Sequence, residues 1–228
     1  MKVGFFGKLP GYGDFVQRGV SPDFVKFWDT WVMQALESSR SQLGEQWQHH
    51  YFHSPIWCFS LNRGVAGAEA ITGLLMPSVD KAGRCYPFTV ICQSEQPLNI
   101  LTMSRYVDGI HEKTEEFLLS LLEKDSPNLD ELQSVLENFY HEFQELQCQN
   151  LLLRAASSYG EIGSLVGNNL EDFSRSNETF LQSLLKMQSV DLTLWWMSGG
   201  VNTLPQKRYF SGMPPVDSYS SFLLGVSE

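Results

Sequence analysis

Positive charge is scarce in this 228-residue chain: 16 lysines and arginines stand against 26 aspartates and glutamates, a formal balance of −10 with histidine neutral. A field of that sign repels phosphate backbones and anionic headgroups, so nucleic acid and a membrane surface are not expected partners. Long apolar runs are missing too. From the opening MKVGFFGKLP onward, no stretch reaches the length of a signal-peptide core or a membrane span. The expectation is a cytoplasmic protein without membrane insertion. Cysteine is sparse: Cys58, Cys85, Cys92 and Cys148 show neither CxxC nor CxxH spacing. That removes the usual zinc frameworks and points to four free thiols in a reducing compartment.

Catalytic signatures are also lacking, with no HExxH and no GxSxG. The segment GFFGKLPGYGD shares only its glycine content with phosphate loops. Gly7-Lys8 is followed by Leu9, which offers no hydroxyl to magnesium, and Asp14 and Phe15 after Gly11 and Gly13 break a GxGxxG pattern. Glycine amides beside Lys8 can still cradle an anion; a tight turn that lets strand and helix pack closely explains the same residues. His49, His50 and His53 cluster, with His49 and His53 on one face of any helix there, but nothing nearby supplies the remaining ligands zinc needs. No metal and no cofactor are therefore expected. Asp14, Asp80 and Asp217 lie in or near turns, where carboxylates usually cap backbone amides.

What the chain does have is core-forming material. Apolar residues make up 43% and aromatics 13%, including six tryptophans and fifteen phenylalanines, which excludes disorder. A strand is expected at residues 2–7, then a helix opened by Ser21 as N-cap and Pro22 in its first turn, with Gly44 as its stop. Phe24, Phe27, Trp28, Trp31 and Ala35 recur at helical spacing along it. Residues 56–61, 70–76 and 88–92 read as strands, nearly all apolar, which implies a sheet covered on both faces.

Two amphipathic helices are expected between residues 98 and 146, broken at Asp125-Ser126-Pro127. One stripe runs Met103, Val107, Ile110, Thr114, Phe117, Leu121; the other Leu129, Leu132, Leu136, Phe139, Phe143, Leu146. Residues 151–176 read mostly as loop, 177–186 as a helix, 192–197 as a strand, 208–211 as an edge strand, and the tail after Pro214-Pro215 as a closing helix. Strands at both ends with helices between them predict a single α/β domain over residues 1–228, a three-layer α/β/α sandwich.

Four blocks remain: GFFGKLPGYGDFVQRGV, WDTW, GLLMPSVDKAGRCYPFTV and LWW. In that order they resemble the TagF/ImpM family associated with bacterial type VI secretion. Gly4, Gly7, Lys8, Pro10, Gly13, Asp14 and Phe15 carry the first motif; Gly73, Met76, Pro77, Ser78, Asp80, Gly83, Arg84, Tyr86 and Pro87 carry the second. The resemblance lies mainly within residues 1–93. It implies a three-layer fold and a non-enzymatic accessory protein that represses secretion post-translationally, with a forkhead-associated domain scaffold protein as partner. It carries over no catalytic residue.

The polar motif members Lys8, Asp14, Asp80 and Arg84 are the candidate functional residues, and they admit more than one reading. They can form an interaction surface. They can interlock the two loops by ion pairs, a purely structural role. Or they can build a phosphate or small-ligand enzyme site, in which Lys8 and Arg84 hold an anion while Asp14 or Asp80 acts as base or magnesium ligand. A fixed structural component of the secretion apparatus is a further alternative.

Overall fold

The computed structural model describes residues 2–95, 108–122, 124, 126–154, 191–199 and 203–225, with side chains in the longest helix described as far as His141. Seven strands form one sheet: β1 (Lys2–Gly7), β2 (Val16–Arg18), β3 (Trp57–Leu61), β4 (Ala70–Met76), β5 (Phe88–Ser94), β6 (Leu192–Met197) and β7 (Gln206–Ser211). Their spatial order is β2-β1-β5-β4-β3-β6-β7, and every neighbouring pair is antiparallel. The class is mixed α/β, built on an antiparallel sheet.

Helices α1 (Pro22–Leu43), α2 (Trp47–Phe52) and α5 (Tyr219–Leu224) share a buried cluster with one face of the sheet. Helices α3 (Asp108–Leu122) and α4 (Leu129–Arg154) share another with the opposite face. The strand period of two sorts the side chains between them. Phe5 joins the second cluster and Phe6 the first; Trp57, Phe59 and Leu61 face α1 while Cys58 faces away. Both faces being covered, β3, β4, β5 and β6 read as continuous apolar runs, as their sequences suggest.

Helix α1 begins where its sequence says it should. The Ser21 hydroxyl accepts the Phe24 amide, and the chain leaves the helix at Gly44 with φ +53°. Its buried stripe is Phe24, Trp28, Trp31, Val32, Ala35 and Leu36. On the opposite face, Thr114, Leu118 and Leu121 of α3 and Leu132, Leu136 and Tyr140 of α4 are buried, as the stripe positions 114, 121, 132 and 136 predict. α4 extends to Arg154, past the Leu146 boundary expected from its pattern. The short edge strand β2 was not expected; it forms because Phe5, Phe6 and Gly7 pair with Arg18, Gln17 and Val16. Cys58, Cys85 and Cys92 form no disulfide among the described residues. Of the loop expected at 151–176, residues 151–154 are helical and belong to α4; its remainder, the expected helix at 177–186, residues Met103 and Val107, and the side chains of Phe143, Leu146 and Cys148 lie outside the described residues. Among those described, no helix is long and apolar enough to cross a membrane.

Two motif glycines have steric reasons. A Cβ on Gly7, at φ +143°, would overlap the Pro87 carbonyl oxygen, and one on Gly73 would overlap the Val90 carbonyl oxygen and crowd the Phe59 ring. Neither position tolerates a side chain without parting strands. Gly7 thereby brings the end of β1 against the start of β5, and this close approach places the two motif loops side by side.

Candidate functional site at the two motif loops

The loop between β4 and β5 is closed by a bridge between Val79 and Cys85 and by hydrogen bonds from the Gly83 amide to the Asp80 carbonyl (2.9 Å) and from the Tyr86 amide to the Ser78 carbonyl (3.1 Å). Inside it the Asp80 carboxylate organises the backbone: its Oδ1 accepts the amides of Ala82 and Arg84, both at 2.9 Å. Its Oδ2 accepts Lys8 Nζ at 2.9 Å and Arg84 Nε at 2.7 Å. Four donors meet about four lone-pair sites, so the carboxylate is saturated. The Asp80 side chain is fully buried and that of Lys8 nearly so, whereas Arg84 is 62% exposed.

Arg84 also reaches across to the first loop, donating from Nη2 to the Gly13 carbonyl at 2.7 Å, and the Lys81 amide donates to the Tyr12 carbonyl at 2.8 Å. The first loop is tied in turn to the helices. Tyr12 donates its hydroxyl to the Pro127 carbonyl at 2.6 Å, and Arg18 reaches the Leu129 carbonyl at 3.1 Å and pairs with Asp130 at 2.6 Å. Two loops and the α3–α4 turn therefore meet in one junction.

Burial opposes ionisation of Asp80, but the Lys8 ammonium, the Arg84 guanidinium and two backbone amides outweigh it and hold the carboxyl well below the usual carboxylate range. The anion is the state the fold requires.

Asp14 stands apart. It is exposed and its Oδ1 accepts only the neighbouring Phe15 amide, at 2.8 Å. The four sequence candidates thus divide: Lys8, Asp80 and Arg84 come together, Asp14 does not. Nor do they converge on a common hollow, since a cleft beside the junction is bordered by Asp80 alone of the four. Lys8 and Arg84 are not left free to hold an anion between them. Both cations are engaged by Asp80.

Phe15 and Tyr86, apolar and aromatic members of the two motifs, complete the site together with Tyr51, which no sequence motif singled out. Phe15 is held although 41% exposed: its ring stacks on Phe6 (5.3 Å between centroids), meets Tyr86 edge-on (4.7 Å) and lies under Lys8 Nζ (5.3 Å). Tyr86 donates its hydroxyl to Asp29 of α1 at 2.9 Å. Burial first, and the adjacent Asp29 carboxylate second, push its phenol far above the ordinary value. Tyr51, fully buried, donates to the Ser78 carbonyl at 2.8 Å and accepts the Ser78 amide at 3.0 Å. The signal that could have found Tyr51 is its spacing from Trp47, one helical turn earlier, with which it stacks at 4.9 Å.

The histidines on the same short helix sit at the surface instead. His49 and His53 lie 4.3 Å apart between ring centroids, and His53 Nδ1 sits 2.8 Å from the His49 carbonyl oxygen. Among the described residues, no group of three or more potential ligands can hold a metal ion.

Comparison with known proteins agrees with the motifs. No curated protein matched the chain. Among solved structures, the crystal structure of PA0076 from Pseudomonas aeruginosa PAO1 is similar, with a TM-score of 0.74 and 28% sequence identity. The likeness covers 99% of this chain and 96% of that one. Residues 4–139, which include both motif loops and the whole ion triad, match the TagF N-terminal domain, described as type VI secretion system-associated. The chain belongs to the TagF family of type VI secretion-associated proteins.

Proposed function

We propose that this protein is a cytoplasmic, non-enzymatic repressor of type VI secretion that acts post-translationally by binding the forkhead-associated domain scaffold of the apparatus. The carrying observation is that the charged motif residues turn inward on one another, with Asp80 saturated by Lys8, Arg84 and the loop backbone. What supports an interaction role is the surface this lock presents: Asp14, the rigidly held Phe15 and the outer guanidinium of Arg84, beside the edge strand β2. A rigid aromatic flanked by charges of both signs suits a protein contact, because little side-chain freedom is left to lose on binding. The same reading takes the two covered faces of the sheet as a three-layer α/β/α sandwich.

The test is capture of partners by the tagged protein from a secreting lysate, followed by binding of the purified scaffold. The expected outcome is recovery of the scaffold, with binding to Phe15→Ala weakened tenfold or more while its circular dichroism spectrum stays that of the parent. Recovery of no secretion component would sink the reading. Presence at fixed stoichiometry in the assembled apparatus would replace the repressor by a structural component.

A further inference from the structure

The cleft beside the junction has a volume of about 540 Å³ and lies between the two motif loops and the α3–α4 turn. Gly11, Asp80, Lys81, Lys124 and Ser126 border it. That volume is in the range of small-ligand sites, roughly 300–1,000 Å³.

The cleft is rich in unused donors. The Gly11 amide, the Lys81 ammonium and the Ser126 hydroxyl make no hydrogen bond or ion pair among the described residues. Lys124 has only a long contact, 3.5 Å, to Glu131. Asp80, the acidic residue on the border, offers nothing in competition, because its carboxylate is buried and all its acceptor sites are filled. It belongs to a triad with Lys8 and Arg84 that is positive overall. The amides of Lys81, Ala82, Gly83 and Arg84 are likewise committed within the junction. Two lysines border the cleft, Lys81 with no ion pair among the described residues and Lys124 with only the long one, in a chain whose overall charge is −10.

A ligand that only accepts, carries negative charge and presents several oxygens matches this wall. We propose that the cleft binds the phosphate group, held by Lys81 and Lys124 with the Gly11 amide and the Ser126 hydroxyl. Lysine serves such a group as a point charge, and backbone and hydroxyl donors fix its orientation. Glu123 and Asp125 flank Lys124 in the sequence and offset its charge, so the affinity expected for inorganic phosphate is modest. The phosphate can come from a free anion or from a phosphorylated side chain of another protein. The inference is independent of the scaffold reading and survives or fails without it.

The test titrates the ¹⁵N-labelled full chain with inorganic phosphate and, separately, with a short phosphoserine peptide and its unphosphorylated twin. Saturable shifts of the Gly11, Lys81 and Ser126 amides are expected with both phosphate ligands and not with the twin. The Lys81→Gln/Lys124→Gln double variant should weaken binding tenfold or more without changing the thermal midpoint, because both side chains are exposed. Lys26→Gln, on α1, should change nothing. Tighter binding of the peptide assigns the phosphate to a protein partner; equal or tighter binding of inorganic phosphate assigns it to a free anion. Absence of saturation with either ligand, or saturation of the double variant at the parent's concentrations, overturns the proposal.

Discussion

Trp28 and His111 are buried to the same depth on opposite faces of one sheet, and their polar atoms meet different fates. On the α1 face, Trp28 donates its indole N–H to Thr89 at 2.9 Å, Trp31 to the Pro214 carbonyl at 2.9 Å, Trp47 to Ser39 at 2.8 Å and Trp57 to the Phe222 carbonyl at 3.0 Å. Of the five buried indoles there, Trp195 alone lacks a hydrogen-bond partner among the described residues. On the α3–α4 face the core is mainly aliphatic; the Thr72 and Thr114 hydroxyls are bonded there, to the Phe59 and Ile110 carbonyls, but two larger polar side chains are stranded. Among the described residues, both ring nitrogens of His111 and the hydroxyl of Tyr140 have no hydrogen-bond partner. The imidazole lies flat on Trp196 at 5.4 Å, and burial drives its pKa down to about 3. One face gains direction from its aromatics; the other relies on non-directional burial and tolerates polar strain.

The sharpest way to break the contrast is Trp28→Ala. It removes a ring packed on Phe24, Trp31, Phe59 and Trp195 and leaves the buried Thr89 hydroxyl unpaired. A loss of about 3–5 kcal/mol is expected by denaturant titration. Retention of parental stability would mean that this face collapses without its indole.

Asp80→Asn comes next and tests the junction between the faces. It should lower the thermal midpoint by several degrees at pH 7 and also flatten the acid limb of stability. The sign follows from the depressed carboxyl: its contribution is complete above the unfolded carboxylate pKa, about 3.9, and is lost as pH falls through the lower folded value.

His111→Leu should act in the opposite direction, raising stability at pH 7 by about 1–3 kcal/mol through removal of unsatisfied buried nitrogens. It also separates the two acid windows. A histidine with folded pKa near 3 and an ordinary value of 6.5 contributes fully above 6.5 and loses that contribution as pH falls toward 3. The variant's stability should therefore be flat between pH 6.5 and about 4, where the parent's declines. A declining limb in the variant would assign that window to other groups.

The smallest effect is expected for Asp14→Ala. The side chain is exposed and caps only its neighbour's amide, so stability should change by less than about 0.5 kcal/mol. Scaffold binding is where its loss should register, and an unchanged affinity would move the contact surface off this loop.

Local rules made much of this fold legible. Ser21, Pro22 and Gly44 bound α1 because capping and φ restrictions act within a few residues. Nearly all-apolar runs at 57–61 and 70–76 announced buried strands for the same local reason. Strand β2 was illegible: three residues with one buried position carry no periodic signal, and only pairing with β1 makes them a strand. Tyr51 was missed because the neighbouring histidines looked like the chemistry of that segment, whereas burial sorted Trp47 and Tyr51 inward and left His49 and His53 outside.

The site divides in the same way. Sequence alone determined the family, through two motifs whose glycines and charges recur at fixed spacing, and it named the residues of the lock. It left open whether Lys8, Asp14, Asp80 and Arg84 act on a partner, on a ligand or on one another. Tertiary structure decided which of them pair with one another, because residues 8 and 80 are brought within 2.9 Å by the approach of β1 to β5, a contact no local pattern encodes. Once buried together, these charges had to neutralise each other, since an unpaired charge in the interior costs more than the fold can absorb. Asp14, one turn away and in water, was under no such constraint.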